Sequence, residues 1–529
     1  RASNCRRPGM KPDRRCAHRF IAALLLLSPV CASAATLTDR KAVDAAFEQV
    51  MARYDLPGLA LGIVEDGRVV YTRTAGELVA GEGQPIDGQT LFKVASNTKS
   101  MTTATLARLV DARKLGWNDP VVKWLPQFRM HDPWVGREMQ VRDLLIHNSG
   151  LRAGAGDLML WPEPNSFTRA DIIHGLAYLK PQRSFRAGYD YDNLLYIVAG
   201  EVAAAAGGAP YEEVVKREVF EPLGMTRCRV GQWNRAEVGN VAQPHMRRDG
   251  RNVSVREDGD VIRATTMDPA GGVRCSLDDM LRWATAWLQP KGAAAGWLSR
   301  EQREAVWSPQ MPMPLSRRMR EWDNSHFSAY GYGWRLADVD GVFKVAHTGT
   351  LMGMYSAVTL LPDKKVGFVM LINGEGDEAR TVLNQVLIKQ YTARDPALTV
   401  AHYAELLERE EAKRRPTEKA PDTSSRRKAS PSDLKAYLGR YRDPWFGDVS
   451  LCRDGASVRL RAEKSPMLTG IVQRVGQRHL VDWDDASVDA EAWLDFPASN
   501  SMRMAKVDPQ ADFSYDYEDL AFERIGGCE

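Results

Sequence analysis

Val43, Ala46, Phe47, Val50, Met51 and Tyr54 recur at the spacing of one helical face, which predicts a helix over 38–54. The apolar run GLALGIV (58–64), the turn EDG (65–67) and RVVYTRTAG (68–76) then read as a β-hairpin. Residues 90–300 carry mostly helical patterning, with loops marked by Pro and Gly. Strand signals return at 330–334 (YGYGW), 341–347 (GVFKVAH), 354–362 (MYSAVTLLP) and 366–373 (VGFVMLIN), and an amphipathic stretch follows at 377–392. The late strands succeed one another as a meander. Strands at both ends with helices between therefore predict one antiparallel sheet, closed by the two ends of the region and covered by a helical insert.

Beyond 395 the pattern changes. AELLEREEAKRR (404–415) is charged and patterned as a helix, and the remainder up to 432 reads as polar, proline-containing linker. After 433 come about eight short strand-like runs separated by turn signals: YLGRY, DVSLC, SVRLRA, LTGIVQRV, HLVDW, AWLDF, MRMAKV and LAFERI. Such spacing predicts a small β-barrel or sandwich.

A chain of 529 residues exceeds one ordinary domain. The formal charge of +3 is local, because residues 1–34 carry seven Lys or Arg against one Asp, leaving the remainder about −3. That balance gives no support for nucleic-acid binding. The basic stretch KPDRRCAHR (11–19), the apolar run FIAALLLLSPV (20–30) and the small residues Ala32-Ser33-Ala34 form a secretory signal pattern, too short to span a bilayer as a mature helix. No later apolar run is long enough to do so, hence no stable membrane span is expected. Export to the periplasm or beyond would permit disulfides among Cys228, Cys275, Cys452 and Cys528, and four cysteines allow three pairings. If the C-terminal strands close as a barrel, its outer strands meet, and Cys452 could then pair with Cys528. No CxxC or Cys/His spacing suggests a metal, and no cofactor is implied.

The candidate chemistry starts at VASNTKS (94–100). Ser96 would sit at the first turn of an apolar helix (98–110), where unpaired N–H groups can stabilise an oxyanion, and Lys99 lies three residues on, on the same face. If desolvated, that lysine becomes a neutral base. Ser425 with Lys428 and Ser432 with Lys435 share the spacing but lie in the polar stretch without such a helix. Tyr191-Asp192-Asn193 precedes a second apolar helix, and His347-Thr348-Gly349 ends a strand. No GxSxG elbow supports a Ser–His–Asp triad. Tyr189 and His147 read as packing and loop residues, and Asp157 and Trp161 as pocket rim or packing.

Ser–x–x–Lys, Tyr–x–Asn and His–Thr–Gly in that order resemble the serine beta-lactamase and penicillin-binding superfamily. LFKVASNTKSMT, LLIHNSGL, PAGGVRCSLDDMLRW and YGYGW resemble its class C-type branch, over about 50–395. YLGRYRDPWFGDVSLCRDG resembles the barrel that follows the catalytic domain in peptidase-like members. The resemblance implies an α/β (α+β) beta-lactamase-like fold with an antiparallel sheet and helical subdomain, plus a small all-β C-terminal barrel. The expected organisation is a signal peptide over 1–34, a catalytic domain over 35–395, a charged helix and linker over 396–432 and the barrel domain over 433–529.

By the same resemblance Ser96 is the acylated nucleophile, with Lys99 and Tyr191 sharing the proton transfers. Asn193 would orient Lys99 and the substrate amide. The backbone N–H groups of Ser96 and Thr350 would form the oxyanion hole, and His347, Thr348 and Gly349 would line the substrate strand. The implied activity is an exported serine hydrolase acting through an acyl-enzyme on amide or ester bonds of a small molecule or short peptide, including peptides with D-residues. The alternatives are a carboxylesterase, a beta-lactamase, or a non-catalytic peptidoglycan- or penicillin-binding sensor. His347 stands where a lysine is usual, and a neutral imidazole holds a carboxylate poorly, so lactams are expected to be poor substrates.

Overall fold

Asp39 accepts a hydrogen bond from the backbone of Ala42 and starts helix α1 (Arg40–Arg53), which buries Val43, Ala46, Phe47 and Val50 along one stripe. This computed structural model describes residues 38–290, 292–413 and 419–528, apart from the side chain of Ala293. The expected signal segment with Cys5, Cys16 and Cys31, and part of the expected linker, lie outside the described residues.

Strands β1 (Gly58–Glu65) and β2 (Arg68–Gly76) form the expected hairpin, with a bulge between Ile63 and Val64. Six later strands join it: β3 (Met311–Pro312), β4 (Ser328–Tyr330), β5 (Arg335–Val339), β6 (Val342–Leu351), β7 (Met354–Leu361) and β8 (Val366–Ile372). Their order is β2-β1-β8-β7-β6-β5-β4-β3, antiparallel throughout. The first hairpin closes on the last strand, with Leu59 opposite Ile372.

The segment 330–334 is corrected: YGYGW is mainly the turn between β4 and β5, not a strand. Gly333 takes φ +75°, and Gly331 N–H donates to the Trp334 carbonyl. Its alternating aromatics, Tyr330, Tyr332 and Trp334, are all buried, which imitates the period of a strand without the backbone of one.

Between β2 and β3 lie α2 (Thr98–Asp111), α3 (Leu194–Gly207) and α4 (Leu277–Leu288). After the sheet come α5 (Asp377–Thr392) and α6 (Val400–Ala412). Alternate residues of the sheet divide between two cores. Leu59, Leu61, Ile63, Phe368 and Met370 pack with α1, α5 and α6, while Ala60, Val64, Val369 and Leu371 face the helical insert. The charged helix expected over 404–415 therefore starts earlier, at Val400, because Val400, Tyr403, Ala404 and Leu407 form an apolar stripe against the first of these cores.

The C-terminal strands are β9 (Arg427–Lys428), β10 (Gly439–Asp443), β11 (Gly447–Asp454), β12 (Ser457–Ala462), β13 (Thr469–Val475), β14 (Arg478–Trp483), β15 (Ala492–Ala498), β16 (Ser501–Lys506) and β17 (Ala521–Gly526). Strands β10 to β17 form a closed ring, because β17 pairs with β10 and every strand between pairs with its successor. The choice between barrel and sandwich thus falls to an eight-stranded barrel, with β9 appended to β13. Cys452 on β11 pairs with Cys528 just past β17, and Cys228 pairs with Cys275. The barrel interior is continuous with the core of the helical insert, where Phe167 meets Phe446.

Candidate active site

Ser96 sits in a single 3₁₀ turn (Ala95–Asn97) that runs directly into α2, one turn ahead of the helix rather than within it. Ala95 holds φ +49°, a left-handed conformation that costs energy for any residue with a Cβ. Strand β6 keeps it in place by close approach. A Cβ on Gly349 would stand 2.2 Å from the Val94 carbonyl oxygen and 3.0 Å from the Ala95 Cβ, so only glycine lets β6 lie against this turn. Thr350, next along β6, is exposed beside it.

Lys99 is fully buried in the first turn of α2. Its Nζ donates to Ser96 Oγ at 3.1 Å, to Asn193 Oδ1 at 2.7 Å and to the Ala270 carbonyl at 3.0 Å. Burial pulls its pKa down to about 7, against the opposing pull of Asp157 and Asp192. An amine with this pKa is partly neutral at neutral pH and lies within proton-transfer range of the serine oxygen. Its Nζ is also 4.9 Å from the ring centre of Tyr191. Burial pushes the Tyr191 phenol up to about 12, with Arg335 and Ser96 opposing, so the phenol keeps its proton at neutral pH.

Asn193 precedes α3 and is buried. Its Nδ2 donates to Asp157 Oδ2 at 2.7 Å, which turns its Oδ1 towards Lys99. Asp157 is therefore not a rim residue. It is fully buried, and burial raises its carboxyl to about 8. Trp161 does lie at the rim, lining two recesses of about 900 and 160 Å³. The smaller recess also takes Thr350 and Leu351 from the end of β6. His147 accepts a hydrogen bond from Asp192 N–H on Nδ1 and lies 4.3 Å, ring to ring, from Tyr191, which makes it a packing support for the catalytic loop.

The substrate strand differs from expectation at one position. The His347 ring is buried, with Nε2 bonded to the Tyr330 hydroxyl at 2.8 Å and Nδ1 to the Thr348 carbonyl at 2.7 Å. Burial first, then Arg335 and Lys99, hold it well below its ordinary pKa, hence neutral. It braces the strand from inside and offers little to a ligand. The cation at this edge is Arg335 on β5, whose Nη1 donates to Thr348 Oγ1 at 3.3 Å and whose guanidinium carbon lies 5.5 Å from the Tyr191 ring centre. None of the ion pairs among the described residues includes Arg335. Sequence reasoning missed it because no motif marks it. The available signal was register, since Arg335 lies opposite Ala346, beside the His–Thr–Gly triplet. Arg380 on α5 was missed too, and it donates to the Gly349 carbonyl at 2.6 Å and to Thr350 Oγ1 at 3.0 Å, fixing the end of β6.

The Beta-lactamase family profile matches residues 43–392, and a domain of unknown function, DUF3471, matches residues 423–524. The chain is 26% identical over 367 residues to Unguisins hydrolase ungD' of Aspergillus campestris, covering 67% of this chain and 64% of that protein's length. It is 25% identical to Penicillin-binding protein 4* of Bacillus subtilis (66% of this chain, 74% of that one) and 28% identical to Esterase EstB of Burkholderia gladioli (64% and 90%). Among solved structures, the octameric penicillin-binding protein homologue from Pyrococcus abyssi aligns over 92% of this chain and all of its own, with a TM-score of 0.57 and 20% identity. A class C beta-lactamase aligns over 66% of this chain and 95% of its own, with a TM-score of 0.53 and 19% identity, so both structures share the fold. With the family profile spanning well over half its length, the chain belongs to the beta-lactamase family.

Proposed function

We propose that the protein is an exported serine hydrolase that forms an acyl-enzyme on Ser96 and cleaves amide or ester bonds in substrates ending in a carboxylate, short peptides foremost. The observation that carries the reading is the buried Lys99 amine, 3.1 Å from Ser96 Oγ and with its pKa drawn down to about 7. In this mechanism neutral Lys99 takes the Ser96 proton as Oγ attacks the carbonyl carbon. The N–H groups of Ser96 and Thr350 receive the oxyanion. Tyr191, still protonated, passes its proton to the departing amine or alcohol and is reprotonated from Lys99. Water then attacks the ester, its proton returns to the Lys99–Tyr191 pair, and Ser96 leaves with a proton.

Arg335 supports the substrate class. A guanidinium beside the Thr348 hydroxyl presents two donor types to a carboxylate at the edge of the strand the substrate would extend. On this reading the charge missing at His347 comes from the neighbouring strand, and the expectation that lactams are poor substrates falls to the nitrocefin arm of the panel. The relatives named hydrolase, penicillin-binding protein and esterase fit a general hydrolytic reading. Disulfides at Cys228–Cys275 and Cys452–Cys528 support placement outside the reducing cytosol. The test is a hydrolysis panel of L- and D-residue peptides with free and amidated C-termini, simple acyl esters and nitrocefin. Turnover of free-carboxylate peptides above their amides supports the reading. Turnover confined to neutral esters refutes the carboxylate part.

A further inference from the structure

The loop between β16 and β17 reaches out of the barrel to Asp157 and Tyr191. Gly156 N–H donates to Asp516 Oδ2 at 2.7 Å, and Arg152 pairs with Asp516 and Asp519, so both ends of the contact are anchored. Beside these anchors, Ser514 Oγ donates to Asp157 Oδ2 at 2.8 Å, the same oxygen that accepts from Asn193. The neighbouring Phe513 ring stands edge-on to Tyr191 at 5.9 Å and remains partly exposed. Its carbonyl oxygen and ring fill the space a Cβ on Gly154 would need, and Gly154 N–H in turn donates to the Tyr191 carbonyl. Asp512, Ser514 and Tyr515 also line the small recess together with Thr350 and Leu351.

We propose that this barrel loop is a working part of the active site, in which Ser514 acts as a positioning residue, holding Asp157 and through it the Asn193 amide that orients Lys99. The proposal rests on the hydrolase reading above. Its physical content is the orientation of one amide. Asn193 can present either oxygen or NH₂ to Lys99, and only the oxygen accepts from the amine. An acceptor fixed on the Nδ2 side selects that orientation. Burial raises the Asp157 carboxyl to about 8, the two donors on Oδ2 oppose that rise, and they hold Oδ2 as the acceptor whether or not the carboxyl carries a proton. The groups that face it are Lys99 from α2, Asn193 at the start of α3, and Asp512 and Ser514 from the loop. Without the Ser514 hydroxyl the carboxyl stays protonated to a still higher pH and is free to turn its O–H towards the Asn193 oxygen, which releases the selection.

The test uses the full chain and the rate of covalent labelling of Ser96 by a fluorophosphonate across pH 5–9, with thermal unfolding measured in parallel. Ser514→Ala is expected to lower the plateau rate about ten-fold, the equivalent of one hydrogen bond to a charged group. It should also move the acidic limb to lower pH, because an Asp157 carboxyl raised further still carries less negative charge beside the Lys99 ammonium. Ser514→Thr, which keeps the hydroxyl, should restore both. A purely structural role would shift the unfolding midpoint and leave the limb in place. Labelling of Ser514→Ala within two-fold of the unmodified protein, with an unmoved limb, overturns the proposal and leaves the hydrolase reading standing. Absence of any label on Ser96 in the unmodified protein refutes the hydrolase reading, and the proposal with it.

Discussion

Replacing Arg335 with Gln tests the carboxylate reading most directly. The guanidinium donates to Thr348 Oγ1 and meets no carboxylate among the ion pairs of the described residues, so the substitution removes a charge without stranding a carboxylate. A hydrogen bond to a charged group contributes about 1.5–3 kcal/mol, which is roughly ten- to a hundredfold in binding. KM for a peptide with a free C-terminal carboxylate should rise by that factor, while KM for a neutral acyl ester should change by no more than about three-fold. A second effect separates charge from shape. Arg335 is one of the groups that lower the Lys99 pKa, so its removal should move the acidic limb of kcat to higher pH for both substrates. Steady-state kinetics on the matched pair between pH 5 and 9 measures both. Equal KM losses on peptide and ester, or no loss on the peptide, would refute the assignment of Arg335 as the carboxylate contact.

Ser96→Ala should abolish fluorophosphonate labelling and lower turnover by several orders of magnitude with an unchanged unfolding midpoint, and retained activity would falsify the nucleophile. In the unmodified enzyme kcat/KM should rise as pH increases through about 7, because Lys99 acts as the neutral amine that predominates above its lowered pKa; a flat profile from pH 5 to 9 would exclude it as the base. Gly349→Ala puts a Cβ 2.2 Å from the Val94 carbonyl and 2.5 Å from Ser356 Oγ, and calorimetry should show a loss of about 1–3 kcal/mol together with slower labelling. Cutting the Cys452–Cys528 link, which spans 76 residues, should cost about 2–4 kcal/mol in denaturant unfolding, and an unchanged midpoint would show that the ring of strands needs no staple.

The eight barrel strands and the framing of the catalytic sheet were legible because both depend on local period and turn chemistry, as in the alternation of β10 and the loop at 362–365. The contact between Ser96 and Lys99 was legible for a similar reason, since three residues on a helical start fix their distance. Arg335 and Asp157 were not. Each acts through strand register or a contact across the fold, and a lone Arg or Asp in sequence has no period to betray it. His347 shows the converse. The motif located the residue, but whether its ring turned to the substrate or to Tyr330 was decided by the aromatic residues buried behind the strand. YGYGW was misread because buried aromatics at every second position satisfy the strand pattern while glycine sets the backbone.

Strand β17 closes the ring by pairing with β10, and the loop just ahead of it carries Ser514, 357 positions after Asp157. The oxygen that holds the Asn193 amide is thus gripped from two regions of the chain that lie far apart in sequence. If Ser514 holds Asp157 as proposed, a chain cut ahead of this loop keeps Ser96 and Lys99 but loses that grip on Asn193, and its labelling should slow by the same factor of about ten as in Ser514→Ala. Proteolytic loss of this loop would then turn the catalyst down without touching Ser96 itself.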